Sequence, residues 1–467
     1  MSKKHLLSSK KLFSSNPDMT EGVIWKQLLL FFLPIMFGSL FQQLYNTADA
    51  LIVGNFVGKE ALAAVGGTTG TFINLLVGFF TGLSSGATVI IAQYYGAKQH
   101  DALKKAIHTG IVLGIAGGAI FMAIGLTLAP TVLSAMGTPD DIIDFAVTYM
   151  RIYFVGIIPS LLYNIGAGIL RALGDSTRPL IVLILCCAVN VGMDLLFVVG
   201  FDMGVAGAGW ATILSQAVSC VCVLYFLAHM KEESCRLSLR AVRFDRNSLV
   251  KIVQIGFPAG MQSAMYNISN VIIQSTINGF GTDTVAAWTV YGKIDCIFWM
   301  TISAFGTSIT TFVGQNFGAQ KFDRIRRGVK VCFGMSVLTT LFISVVSVCF
   351  GEPLYRIFND DPGVIEVGMR IIRTVPPLFV TYNTIEILSG TLRGTGDAVR
   401  PMLMTMVGVC VLRLVWLFAV VPHHHTIETV VLSYPITWIV TSIAFFLYYI
   451  HGGWLKRRKA AAGMGNS

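Results

Sequence analysis

Apolar residues in this chain come in long unbroken runs, such as 28–40 and 181–200, separated by short polar stretches rich in charge, glycine and proline. A helix that crosses a bilayer needs about 20 consecutive apolar residues. A membrane β-barrel instead needs short segments alternating apolar and polar positions. The continuous runs therefore predict an all-α polytopic membrane protein. Charges and Gly/Pro clusters divide it into twelve transmembrane helices, at 25–56, 60–94, 99–131, 139–171, 177–200, 204–229, 248–279, 284–316, 321–351, 363–393, 399–421 and 427–451. The polar stretch Lys231–Asn247 separates the sixth from the seventh. The expected organisation is a tail at 1–24, an N-lobe at 25–230, a linker at 231–247, a C-lobe at 248–452 and a second tail at 453–467.

Composition agrees. Hydrophobic residues make up 54% of the 467 and charged residues only 12%, where a soluble protein carries roughly 25% charged residues. The net charge of +10 raises nucleic acid as a partner, but the placement of the charge answers otherwise. Lys3, Lys4, Lys10 and Lys11 precede the first helix, and Lys98, Lys104, Lys105, Arg171 and Arg178 sit in the second and fourth connections. The sixth connection holds Lys231, Arg236, Arg240, Arg243, Arg246 and Lys251, and further clusters lie at 321–330, 393–400 and 456–459. Together these hold 26 of the 34 basic residues, while the opposite connections clearly hold only Lys59 and Arg356. The excess of positive charge on cytoplasmic loops predicts a multi-pass cell-membrane protein with both termini cytoplasmic. Its electrostatic partner is then the anionic inner leaflet, with no call for nucleic acid. No small-residue cleavage site follows the first apolar run, so that helix is expected to stay. The nine cysteines lie mostly inside apolar runs and predict small reduced core residues, neither disulfide framework nor metal site.

The chain repeats itself. Residues 166–180, GAGILRALGDSTRPL, match residues 388–402, LSGTLRGTGDAVRPM, at seven of fifteen positions with a spacing of 222. At the same spacing Gln93–Ala97 matches Gln315–Ala319, and Tyr45-Asn46 matches Tyr266-Asn267 at a spacing of 221, which sets Asn270 opposite Asp49. Each half has an even number of crossings, so the lobes form a parallel repeat, an arrangement found among transporters.

Ionisable side chains in hydrocarbon cost about 2.5–3.5 kcal/mol each on insertion scales, so each needs a reason. Asp194 lies 16 residues beyond Arg178, about 24 Å along a helix into a core about 30 Å thick. Asp49 reaches a similar depth if its helix tilts or starts below the membrane; otherwise it is a solvated residue at the outer end. Asn190 precedes Asp194 by one turn and shares its helix face. An amide there can donate to a carboxylate or accept its proton. Two neighbouring carboxylates suit a site where a proton or sodium ion competes with a cationic cargo. The second half has Lys293, Asp295, Glu386 and Arg413 at depth. Their opposite signs predict structural pairing, for instance of Arg413 with Asp295 or Glu386, with a role in cargo binding as the alternative.

Gly66–Gly70 and Gly82–Gly86 look like phosphate loops in composition only, and their place inside apolar runs predicts close helix packing. His423–His425 falls in a short outer connection and predicts an exposed loop. No nucleophile–base arrangement and no HExxH motif occurs, so no catalytic residue is assigned and an enzyme is not expected.

Residues 45–54 (YNTADALIVG), 93–97, 170–175 (LRALGD), 190–200 (NVGMDLLFVVG) and 204–212 (GVAGAGWAT), with the second-half copies, resemble the multidrug and toxic compound extrusion (MATE) family over nearly the whole chain. The resemblance implies two six-helix lobes around a central cavity, exporting organic cations or drugs in exchange for protons or sodium. It places a cation-coupling site on Asp49, Asn190, Asp194 and Thr212. A sodium-linked branch of the family carries acids in the seventh and tenth helices; the nearest positions here are Tyr266 and Tyr382, with Glu386 one turn displaced. The expected function is thus an ion-driven multidrug efflux antiporter for cationic amphipathic small molecules, with no cofactor beyond the coupling ion and with the oligomeric state left open, a monomer included. A flippase for a lipid-linked precursor, which would line its cavity with basic residues such as Lys293 and Arg413, is the alternative.

Overall fold

A computed structural model describes residues 18–238 and 243–461. The predicted basic residues Lys3, Lys4, Lys10, Lys11 and Arg240, most of the tail 1–24 and the stretch 462–467 lie outside the described residues. Each of the twelve predicted segments is helical, and among the described residues there is no strand. Eight helices carry the first half: α1 Ile24–Phe56, α2 Lys59–Gly66, α3 Thr68–Gly96, α4 His100–Ala135, α5 Ile143–Val155, α6 Ile157–Ala172, α7 Thr177–Asp194 and α8 Gly204–Ala228. The second half follows with α9 Arg246–Asn278, α10 Thr282–Gly318, α11 Phe322–Cys349, α12 Gly351–Arg356, α13 Pro362–Thr374, α14 Val380–Gly394, α15 Val399–Thr405, α16 Leu412–Ala419, α17 Ile427–His451 and α18 Trp454–Ala461.

Among the described residues nine helices are long and apolar enough to cross a membrane, or ten if the bent pair α5–α6 is one span. That pair turns by 51° at Gly156. Pro159, early in α6, has no N–H to donate back into α5, which opens the helix there. The two predicted crossings outside this count differ for local reasons. The α9 helix carries Gln262, Asn267, Asn270 and Gln274 in its second half, and α13–α14 is interrupted at Pro376 and Pro377. Large apolar side chains such as Leu338, Phe342 and Phe418 are exposed, a surface that only lipid can cover at low cost.

The repeated sequence is a helix-stop device. Gly174 and Gly396 both have φ +89°, a left-handed conformation that costs a glycine nothing. The N–H groups of Asp175 and Asp397 reach back to the carbonyls of Leu170 and Leu392, each at 2.9 Å, closing the helix end. Asp175 Oδ1 then accepts from the N–H groups of Thr177 and Arg178, both at 3.0 Å, opening α7. Ion pairs Arg178–Asp175 at 3.3 Å and Arg400–Asp397 at 2.6 Å bind each turn together. The same residues thus build the same corner in each half.

The chain divides into two compact units, the first taking in Leu29–Gly260 and Gly318–Gln320, the second Val23–Leu28, Met261–Phe317 and the residues from Lys321 onward. The division falls inside α9, not at the polar stretch 231–247. Glycine explains why. Gly82 and Gly86 of α3 meet Gly256 and Gly260 of α9 backbone to backbone; a Cβ on Gly82 would lie 2.5 Å from Gly260 Cα. The start of α9 is thereby held in the first unit, as the packing reading of Gly82–Gly86 expects. The described part of 231–247 is also tied down. Leu237 N–H bonds Leu227 O at 3.0 Å, Asp245 N–H donates to Thr109 Oγ1 at 3.2 Å, and Cys235 is fully buried. All nine cysteines are free, but Cys349 is exposed rather than in a core.

Candidate functional site

In the first unit the buried polar residues of α1, α7 and α8 include the four positions named from the sequence. Asp49 is 7% exposed, Thr212 3%, and Asn190 and Asp194 0%. Helices α7 and α8 pack along each other, and α7 ends at Asp194, where its hydrogen bonding widens into a π-helical turn over Leu195–Gly200. Such widened turns are frequent at functional sites. Asp49 and Asp194 are close enough to act on each other electrostatically. Yet Asp49 Oδ1, both oxygens of Asp194, both polar atoms of Asn190 and Thr212 Oγ1 have no hydrogen-bond partner among the described residues. Buried polar groups are normally satisfied, and leaving one unmade costs about 1–3 kcal/mol. Most of these atoms are oxygens, the donor type that a proton or a small hard cation takes.

The sequence reading missed Tyr149 of α5. Its side chain acts electrostatically on both Asp49 and Asp194 and approaches Thr212, and Tyr45, one turn before Asp49, lies beside it. Nothing in a lone tyrosine within an apolar run distinguishes it; the fold brings α5 to the acids.

In the second unit a cavity of about 310 Å³ is lined by Tyr266, Asn270, Trp299, Tyr382, Glu386, Arg413 and Tyr434, among others. The Tyr266 and Tyr382 hydroxyls are 3.2 Å apart. The predicted charge pairing is not what forms here. Arg413 pairs with neither Asp295 nor Glu386. It is 2% exposed and lies with its guanidinium 4.0 Å over the Tyr434 ring, with only a long 3.5 Å contact to Thr437 Oγ1. Glu386 instead meets Arg393 of its own helix at 3.5 Å. Asp295 accepts from Trp299 Nε1 at 2.6 Å and from the Tyr291 hydroxyl at 3.4 Å. Neutral donors on its own helix turn satisfy it, so it needs no cation. Lys293 is exposed and does not line the cavity. Helix α16 starts directly after a second π-helical turn, Met406–Val411, so each unit has a buried charge beside a widened turn. His423–His425 is exposed, and among the described residues no group of three or more His, Cys, Asp or Glu side chains is arranged to hold a metal ion.

The MatE family model matches residues 34–196 and 258–418 of the chain, one stretch in each half. The "Probable multidrug resistance protein YpnP" of Bacillus subtilis (strain 168) is 28% identical over 442 residues, covering 94% of this chain and 97% of that protein. The "Probable multidrug resistance protein NorM" of Thermotoga maritima is 26% identical, covering 93% and 94% respectively. Among solved structures, a MOP superfamily transporter from Pyrococcus furiosus Vc1 (DSM3638) superposes with a TM-score of 0.88 at 22% identity, over 95% of this chain and 99% of that one. With both halves matched over most of their length, the chain belongs to the multidrug and toxic compound extrusion (MATE) family of multi-pass membrane transporters.

Proposed function

We propose that this protein is a secondary active antiporter of the cell membrane, with both termini cytoplasmic. It expels small cationic amphipathic compounds in exchange for protons or sodium ions. The observation that carries this reading is that Asp49 and Asp194, both buried, act on each other electrostatically while Asp49 Oδ1 and both oxygens of Asp194 have no hydrogen-bond or ion-pair partner among the described residues. Two carboxylates held together away from water repel one another when both are ionised, so a single positive charge between them relieves the conflict. Asn190 and Thr212 supply further oxygens, and the Tyr45 and Tyr149 rings limit water. The coupling ion is exchanged by alternating access: it occupies the acids while cargo leaves on the outside and departs when the next cargo binds on the inside. Each singly charged ion contributes about 2.3 kcal/mol per 100 mV of membrane potential, and a proton adds about 1.4 kcal/mol per pH unit. One chain carries every residue invoked, so a monomer suffices, and no cofactor beyond the coupling ion is required. The names of the YpnP and NorM relatives support drugs as cargo. For the flippase alternative, Arg413 alone of the two basic candidates lines the cavity, one positive charge where a pyrophosphate asks for several.

The test is ethidium efflux from proteoliposomes with pH and sodium gradients imposed separately. Wild-type protein should respond to one of the two gradients, and Asp49→Asn and Asp194→Asn should lose the response while remaining inserted and monodisperse. Gradient-driven efflux at wild-type rates in both variants would refute the assignment.

A further inference from the structure

The cavity of the second unit has a different chemistry from the acidic site and is not used by the antiport reading. Its walls are the rings of Tyr266, Trp299, Tyr382 and Tyr434, and its volume of about 310 Å³ lies at the lower end of ordinary small-molecule sites. Its charges do not balance. Glu386, the one acid among its lining residues, is met by Arg393, while Arg413 is buried, makes no ion pair with any described residue, and its Nε has no acceptor among them. Asp295, the other acid on an adjoining helix, is occupied by Trp299 and Tyr291. A desolvated cation without a counter-charge is among the most costly arrangements a protein interior can hold. Stacking on Tyr434 covers the flat face of the guanidinium but leaves its N–H edge available. That edge is a fork matched to two oxygens of one planar oxyanion.

We propose that this cavity is a binding site for planar aromatic carboxylates, with Arg413 holding the carboxylate and the four aromatic side chains stacking on the ring system. It goes beyond the antiport reading and stands or falls independently of it, because binding needs no ion gradient. A single chain would then offer an acidic site that favours cations and a separate site that favours anions. Asn270 is exposed at the cavity lining.

Equilibrium dialysis of the purified full-length protein in detergent, with 2-naphthoate and its matched cation 2-naphthylmethylammonium, tests the proposal. Wild-type protein should bind the naphthoate at least about tenfold more tightly than the ammonium, the preference one good charge-assisted contact supplies. Arg413→Gln should remove that preference, and Arg413→Lys should retain part of it through a point charge. Because Arg413 is buried, Asn270→Asp provides a variant at an exposed position: a carboxylate there should weaken naphthoate binding and strengthen that of the ammonium. Asp49→Asn should bind the naphthoate as wild type does, whatever its effect on efflux. Equal affinity for the two probes in wild-type protein would overturn the proposal. So would unchanged naphthoate binding in folded Arg413→Gln, or in Asn270→Asp.

Discussion

The acidic site of the first unit and the aromatic cavity of the second occupy related places in the internal repeat. Asn270 stands opposite Asp49, and Tyr434 lies 222 residues beyond Thr212, the spacing of the repeated turn. Their chemistry nevertheless runs in opposite directions. The first buries two carboxylates, an amide and a hydroxyl whose polar atoms lack partners among the described residues; the second gathers a guanidinium and four aromatic rings, its acid already countered. The scaffold is shared where backbone geometry demands it, at Gly174-Asp175 and Gly396-Asp397 with their matching φ angles. It diverges where only side-chain chemistry is at stake. Duplication of a fold therefore does not duplicate a site.

The comparison can be broken most forcefully at the acids. Asp194→Asn, measured as gradient-driven ethidium efflux from proteoliposomes, is expected to fall to the leak of protein-free vesicles, since the amide cannot take up a positive charge. An equally complete loss in Asn270→Asp would remove the functional distinction between the two units.

A smaller effect is expected at Thr212→Val, which keeps shape but removes an oxygen from the acidic cluster. A hydrogen bond or ligand contact to a charged group is worth about 1.5–3 kcal/mol, so the concentration of coupling ion needed for half-maximal efflux should rise by about tenfold or more. An unaltered ion dependence would take Thr212 out of the site.

The shared scaffold predicts equal responses. Gly174→Ala and Gly396→Ala each force an L-residue into the left-handed region, costing roughly 1–2 kcal/mol. Their thermal unfolding midpoints in detergent should drop by similar amounts, and a drop in one alone would show that the two corners carry different loads. The smallest effect is reserved for Tyr382→Phe, which removes the 3.2 Å bond to Tyr266. It should lower stability by about 0.5–1.5 kcal/mol in the same unfolding assay, and a larger loss would mean that the two tyrosines brace more of the second unit than their shared bond.

The helical crossings and the repeat were legible in the sequence because lipid imposes a length and an apolarity on every spanning helix, which a linear pattern records. The depth of Asp194 was legible too, since it follows from counting residues along a helix; for Asp49 the same count left a solvated position at the outer end open, and the fold buried it. Lys293 and Arg413 show where counting ends. Both lie in apolar runs, yet one is exposed and the other stacks on Tyr434, because the face a side chain takes depends on which helix packs beside it. The same holds for Tyr149, brought to the acids by the path of α5, and for the division of the chain at Gly260, set by a glycine contact between helices far apart in sequence.

By itself, then, the sequence determined that the chain spans a membrane repeatedly, that its halves are copies, and that an acid, Asp194, lies at depth in the first. Only the tertiary structure decided which charges meet. Hydrophobic burial and helix length are properties of a segment, whereas the partner of a buried charge is a property of three-dimensional packing. At Arg413 that packing supplied an aromatic ring and no carboxylate.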